Sequence, residues 1–340
     1  MLAAQTELKN AQTVKEFLTK HQLFHPNYFP VKEFNYIYFP LLKKAKIPLA
    51  KTVDVHFTFE KKEKSISVED LLQEKLSKTE LEILPKSQEI VGKILILEIP
   101  EELHAKARVI AKAYLHANKQ IETVVRKEEI HAGDYRLRKV RVLAGKNTKE
   151  TVHHENGISL LLDLEKTYFS ARSSNERLRI AKQVRKGEEI LVMFSGAAPY
   201  PLVIAKQGKA KSIYGVEMNP LAHQYALKNI AMNHFEKKII IYEGNVYTIL
   251  PKIKKKFDRI VMPLPKSGHD FLNIALTKAK KGTIVHFYAF AREEEIPAAA
   301  KEIKELCKRC KHRVKILRAI KCGQYSPHTF RICFDLKVEK

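Results

Sequence analysis

Residues Glu189 to Pro220, EILVMFSGAAPYPLVIAKQGKAKSIYGVEMNP, decide how the chain is read. The apolar run Ile190 to Phe194 meets the small residues Ser195, Gly196, Ala197 and Ala198, the pattern of a buried strand entering a tight turn. Pro199 and Tyr200 open a helix, and a second apolar segment, Ile213 to Val216, ends on the acid Glu217 just before Asn219-Pro220. Strand, turn, helix, strand, acid is the order of a nucleotide-binding unit in an open parallel sheet. There the ligand lies outside the carboxyl ends of the strands, and the acid accepts hydrogen bonds from ribose hydroxyls. Gly196 is flanked by alanines where a pyrophosphate would require the closest backbone approach. A nucleoside without a pyrophosphate is therefore expected; S-adenosylmethionine fits and NAD fits poorly. On these residues alone, an α/β sheet without a ligand stays open as the alternative.

Further strands follow at Ile239 to Tyr242, Asp258 to Met262, Thr283 to Phe290, Val314 to Ile320 and Phe330 to Val338, interleaved with helices over 221–233, 268–279 and 293–310. They complete a sheet of about seven strands. Upstream, alternation predicts a strand at Ile158 to Leu162, and Asn175 to Val184 reads as a helix. The middle of the chain has capping-box patterns at Ser67/Asp70 and Ser77/Glu80, a strand over Lys93 to Ile99, and an amphipathic helix through Leu103, Ala107, Ile110 and Tyr114. Two more strands, Ile121 to Arg126 and Lys139 to Ala144, flank AGDYRLRK. The first sixty or so residues read as a separate α+β module, with a helix near Val14 to Leu23, an aromatic stretch HPNYFPVKEFNYIYFPL, and a strand over Val53 to Phe59. The expected divisions are 1–66, 67–165 and 166–340.

Sixty-two Lys and Arg against 38 Asp and Glu give a formal charge of +24, and the partner expected of such a surface is a polyanion, RNA or DNA. No stretch approaches 18 uninterrupted apolar residues, and the first residues lack the basic start and apolar centre of a signal peptide, so a cytoplasmic protein without membrane spans is expected. Cys307-x-x-Cys310 invites a zinc or redox reading, but Cys322 and Cys333 form no second close pair, and buried thiols, or a disulfide in a hyperthermophilic source, explain them as well. His153 and His154 lack a third ligand at convincing spacing. No metal is expected.

The segments HENG, YFSARSSNERLRIA, MFSGAAPYPLVIAK, GVEMNPLAHQYALKNIAMN, EGNV, DRIVMPLPKSGHDFLNIAL and YSPHTFRI resemble, in order and spacing, the archaeal and eukaryotic tRNA (guanine-37-N1)-methyltransferase family. The resemblance runs from about Ser67 to the end. It implies a class I, Rossmann-like methyltransferase fold preceded by two smaller α+β domains, with S-adenosylmethionine as methyl donor. It also implies a middle domain that holds the anticodon loop, and an N-terminal module that touches the tRNA body.

Carried over by residue, the resemblance places the cofactor's methionine portion by the turn Phe194, Ser195, Gly196 to Pro199. Glu217 takes the ribose hydroxyls, Met218 lies against the adenine, Asn245 and Val246 meet the adenine edge, and Arg177 contacts the cofactor. N1 of guanine carries a proton, so its attack on a sulfonium methyl needs a base and a cation for the charge gathering on O6. The resemblance gives these roles to Glu176 and Arg136. It also places Pro263 and Pro265 against the target base, where most members carry Asn-x-Pro. Pro-Leu-Pro resembles the archaeal branch acting on phenylalanine tRNA, some members of which also methylate carbon 7 of the wyosine precursor. A monomer is expected. The alternatives are aminocarboxypropyl transfer from the same cofactor and a catalytically silent tRNA-binding protein.

Overall fold

The computed structural model describes residues 1–61, 66–86, 88–132 and 135–339. Tertiary contacts divide the chain into two units, 1–71 and 72–340. In the first, an antiparallel sheet of order β2-β3-β1-β4 is formed by β1 (Leu2–Glu7), β2 (Val31–Glu33), β3 (Tyr36–Pro40) and β4 (Lys51–Asp54). Helix α1 (Ala11–Lys20) buries Val14 and Leu18 beside Ile37 and Phe39 of this sheet. The strand expected over Val53 to Phe59 is instead β4, shifted toward the N-terminus. Its partner explains the shift: Asp54 pairs with Leu2, the first residue of β1, so the chain beyond has little left to pair with. Phe57 and Phe59 join a ring cluster with Tyr38, at centroid distances of 5.2 and 5.4 Å.

Near the junction, α2 (Val68–Leu72) and α3 (Lys78–Glu82) both start with the expected reciprocal caps: Ser67 with Asp70, and Ser77 with Glu80. In the second unit a four-stranded sheet of order β5-β6-β7-β8 combines β5 (Gln88–Val91), β6 (Ile94–Leu97), β7 (Thr123–Ala132) and β8 (Leu137–Gly145). Strands β6 and β7 are parallel, and α4 (Ala107–Ala117) makes the crossover between them. A hairpin, β9 (Glu150–Glu155) and β10 (Ile158–Asp163), comes next.

The largest sheet has seven strands in the order β13-β12-β11-β14-β15-β17-β16. Its members are β11 (Glu189–Met193), β12 (Ser212–Glu217), β13 (Ile239–Glu243), β14 (Phe257–Met262), β15 (Ala279–Arg292), β16 (Val314–Ser326) and β17 (Thr329–Val338). The first five run parallel, and β17 enters antiparallel. Strand β11 is fully apolar from Ile190 to Met193 because both faces are covered. Helices α5 (Ser174–Gln183), α6 (Pro199–Lys206), α7 (Pro220–Met232), α8 (Val246–Ile249), α9 (Leu272–Leu276) and α10 (Ile296–Arg309) lie among them. The helix expected over 268–279 shrinks to a 3-10 turn and α9, because Ala279 already pairs with Phe257 of β14. Asn229 of α7 and Asn233, the residue that caps its C-terminus, hold the β9–β10 hairpin: Asn229 Oδ1 accepts from Leu161 N (2.7 Å) and Asn233 Oδ1 from Ser159 N (2.9 Å). Asn229 Nδ2 also donates to Ala197 O (3.0 Å), which ties the hairpin to the turn after β11.

Candidate active site

That turn is conformationally demanding. Phe194, Gly196 and Ala198 all have positive φ, at 56°, 56° and 68°, and Pro199 starts α6 with its missing N–H where no partner is needed. A side chain on Gly215, in the neighbouring strand, would lie 2.4 Å from Ile241 Cδ1 and 3.0 Å from Ser195 Oγ. A larger residue there would have to displace the Ile241 methyl and press on the Ser195 side chain.

Glu217, at the end of β12, reaches back into this turn. Its two oxygens accept from Gly196 N (2.6 Å) and Asn219 N (2.8 Å). Burial raises its pKa above the usual carboxylate value, and the N–H groups of Asn219 and Gly196 offset this only in part. Met218 stands 38% exposed beside it. Asn245 caps α8, its Oδ1 accepting from Tyr247 N (2.9 Å), while its Nδ2 faces Met218 Sδ at 3.8 Å; Val246 is buried behind. The cap occupies the Asn245 oxygen, which leaves the amide nitrogen as the group on the Met218 side. Phe194 meets Phe271 edge-on at 5.0 Å.

These residues fit a nucleoside cofactor. Ser195 Oγ is buried and, among the described residues, has no hydrogen-bond partner. Around Gly196 the nearest atom to an added side chain would be Tyr168 O, at 3.6 Å. An acid at a strand end, an orphaned hydroxyl and open backbone form a donor and acceptor set suited to ribose and an amino acid tail.

The second cluster centres on Glu176, which is 5% exposed in the first turn of α5. Arg179, one turn on, donates to it through Nε (2.7 Å) and Nη2 (2.8 Å), and the Tyr288 hydroxyl donates at 2.5 Å. The Tyr200 hydroxyl donates to that of Tyr288 (3.1 Å), so a short chain of hydroxyls joins Glu176 to the residue after Pro199. Arg179 also grips Asp335, at 2.9 and 3.3 Å. Burial alone would lower the Arg179 pKa, but the hydrogen bonds to Glu176 and Asp335 outweigh it and raise the pKa. Asp335 shows the complement: burial would raise its pKa, yet the hydrogen bonds from His286 and Arg179 hold it well below the carboxylate range. The His286 pKa is lowered, chiefly by its own burial, with the hydrogen bond to Asp335 working against it.

His286, Cys333 and Asp335 also have the spacing of a metal-ligand triad. Their polar atoms are already engaged: His286 bridges Asp335 (2.6 Å) and Arg259 (2.7 Å), and two guanidiniums next to the group oppose a cation. The four cysteines are free thiols; burial pushes Cys307 up to about 12, the opposite of a metal-binding thiolate. His153 accepts from Gly92 N (3.1 Å), and His154 pairs with Ser159 Oγ (2.9 Å).

Arg177 points away from Glu176. It is 3% exposed, with its guanidinium on Glu155, on Ser170 O (3.1 Å) and over the Phe169 ring (4.9 Å). Arg136 has φ of 52° and places Nη2 3.4 Å from Ser267 Oγ, two residues beyond Pro265. Burial lowers the Arg136 pKa, and the nearby phenols of Tyr168 and Tyr325 work against that. Pro263-Leu264-Pro265 turns sharply at the end of β14, with Leu264 N donating to Met262 O (2.8 Å). Gly133 and Asp134, in the AGDYRLRK segment, lie outside the described residues. The loop reaches the second cluster through Gly268, where an added side chain would lie 3.1 Å from Tyr288 O.

Sequence reasoning missed Arg179, Tyr200, Tyr288, His286 and Asp335. A signal existed for Arg179 alone: it stands three residues after Glu176 on a helix, the spacing at which opposite charges meet.

Comparison with known proteins gives the family of the chain. The model of the TRM5/TYW2 methyltransferase domain matches residues 151–317, and that of the TYW2 N-terminal domain matches 68–148. The chain is 36% identical over 259 residues to tRNA (guanine(37)-N(1))-methyltransferase Trm5b of Pyrococcus abyssi, covering 75% of this chain and 76% of that protein. The crystal structure of that protein superposes with a TM-score of 0.73, covering 100% of both chains at 31% identity. The tRNA(Phe) (4-demethylwyosine(37)-C(7)) aminocarboxypropyltransferase of Pyrococcus horikoshii is 32% identical over 274 residues, covering 80% and 96%. The tRNA (guanine(37)-N(1))/4-demethylwyosine(37)-methyltransferase Taw22 of Nanoarchaeum equitans is 31% identical over 304 residues, covering 75% and 96%. The chain belongs to the TRM5/TYW2 methyltransferase family.

Proposed function

We propose that the protein methylates N1 of guanosine 37 in tRNA, with S-adenosylmethionine bound at the turn Phe194 to Pro199, Glu217, Met218, Asn245 and Val246. The observation that carries this reading is the buried Glu176 carboxylate, fixed by Arg179 and Tyr288 and linked through Tyr200 to the cofactor turn. The bound cofactor supplies an electrophilic methyl group. Glu176 takes the proton from N1 as the N1 lone pair forms the new bond to carbon, and Arg136 faces the charge that gathers on O6. Arg177 supports the wall of the site through Glu155. Domain limits of 1–66, 67–165 and 166–340 go with this reading, the first module on the tRNA body and the second on the anticodon loop. The protein acts as a cytoplasmic monomer. Incubation of tRNA with the protein and labelled cofactor, followed by mass spectrometry of the nucleosides, tests it: 1-methylguanosine is expected, and an aminocarboxypropyl adduct would redirect it.

A second activity, methylation of carbon 7 of 4-demethylwyosine in phenylalanine tRNA, is favoured by Pro263-Leu264-Pro265. Two prolines fix φ and offer no N–H, so this rim reads a ring by shape and by carbonyl acceptors and tolerates a larger base. Pro263→Asn is expected to keep guanosine methylation and lose activity on the tricycle. A wild type inert on the tricycle removes this second activity.

A further inference from the structure

The segment Tyr325-Ser326-Pro327-His328 has no part in the reaction as set out above. It forms the tip between β16 and β17, where the pairing slips between Gln324 and Ser326 and His328 takes φ of 63°. Tyr325 is 65% exposed, and its ring lies on that of Phe290, with centroids 4.1 Å apart and planes 29° from parallel. Phe290 follows Tyr288 by two positions on β15, so the two side chains leave the same face of the strand, about 7 Å apart. Tyr288 is the residue whose hydroxyl holds Glu176. The ring that Tyr325 covers is thus one strand repeat from the tyrosine that holds the carboxylate, and Tyr325 lies near enough to Arg136 for its phenol to act on that guanidinium.

An exposed ring backed by a second ring, next to a cation, has the features that bind an unstacked nucleobase: the π-face takes the base face, and the cation takes a polar edge. A purine whose N1 reaches Glu176 and whose O6 reaches Arg136 needs a surface for its face, and of the two tyrosines whose phenols act on Arg136, Tyr168 and Tyr325, the second is the more exposed. We propose that Tyr325, supported by Phe290, is the stacking platform for the base being methylated. The platform rests on the reading of guanosine 37 as the target.

Single-turnover methylation of tRNA is measured first with the wild-type protein, then with Tyr325→Leu, which keeps an apolar side chain without a ring, and with Tyr325→Phe, which keeps the ring. Losing base–aromatic stacking is expected to slow Tyr325→Leu by at least about tenfold, with Tyr325→Phe restoring most of the rate. Cofactor affinity by calorimetry checks that Tyr325→Leu is folded. In parallel, tRNA with 2-aminopurine at position 37 is bound to each variant, and its emission is expected to be quenched by wild type and Tyr325→Phe and brighter in Tyr325→Leu. Wild-type methylation of guanosine 37 with unchanged rate and emission in Tyr325→Leu overturns the platform alone. Absence of methylation at position 37 by the wild type removes the functional reading and the platform together.

Discussion

Glu176 and Glu217 are both acids drawn away from water near the ends of the same sheet, and they are held in opposite ways. Glu217 is met, among the described residues, by backbone N–H groups, chiefly those of Gly196 and Asn219, and burial prevails so that its pKa rises. Glu176 is met by the fork of Arg179 and the hydroxyl of Tyr288, and Arg179 is anchored in turn to Asp335. Backbone donors can be shared with an arriving hydroxyl, and Gly196 and Asn219 leave no charge behind when they are. A guanidinium pair cannot be given up so cheaply, because breaking it strands a buried charge. The first arrangement suits an acid that exchanges ligands; the second suits one that must stay in place while a proton comes and goes.

The largest effect should come from breaking the rigid member. Glu176→Gln removes the proton acceptor, and single-turnover methylation at neutral pH is expected to fall by at least ~10²-fold. The loss should be partly recovered as pH rises and guanine N1 ionises on its own. Cofactor affinity, measured by calorimetry, should hold. Full activity in Glu176→Gln would take the base away from this residue.

Breaking the adaptable member acts on binding. Glu217→Ala should weaken S-adenosylmethionine by about 1.5 to 3 kcal/mol, the range for hydrogen bonds to a charged group. The same calorimetry run toward acid should show affinity falling as Glu217 takes up a proton, in a window above its ordinary value of 4.5. An affinity independent of both the mutation and pH would remove Glu217 from the cofactor site.

The contrast also fixes the sign of acid stability. Asp335, beneath Glu176, is held below its ordinary 3.8, so as pH falls through that region the unfolded chain binds the proton first and stability is lost. Glu217, held above 4.5, has the opposite sign: between that value and its raised one the folded chain binds the proton first, and acidification relieves the cost of burial. Each slope is bounded by about 1.4 kcal/mol per pH unit. Denaturant titrations should show a steep loss below pH 4 for the wild type and a flatter one for Asp335→Asn. Equal slopes would separate Asp335 from acid unfolding.

The two regions also differ in how far the sequence reveals them. The cofactor turn was legible because its parts are contiguous, or end strands that announce themselves by apolar runs: Phe194 to Pro199, then Glu217, then Asn245. The surroundings of Glu176 were not, since Tyr288 and Asp335 come from strands 112 and 156 residues distant from their partners in α5. No local pattern marks an aspartate in β17 as the anchor of an arginine in α5; only the antiparallel entry of β17 beside β15 brings it there. The same limit explains the shifted β4, whose extent depends on where β1 begins.

The smallest expected effect separates capping from cofactor contact at Asn245. Its Oδ1 already serves Tyr247 N at the start of α8, so the side chain has a structural task before any ligand arrives. Asn245→Ala should cost about 1 kcal/mol of stability, the usual loss for a helix N-cap. Asn245→Asp keeps an acceptor for the cap, adds a charge that the helix start favours, and leaves the second oxygen on the side of Met218, where the amide nitrogen now stands. An acceptor there can receive the adenine amino group directly, so Asn245→Asp should bind S-adenosylmethionine at least as tightly as the wild type at unchanged or slightly higher stability. Both quantities come from one calorimetric and one thermal series. If Asn245→Ala loses stability but no affinity, Asn245 is a cap and the adenine edge is read by Val246 and the backbone alone.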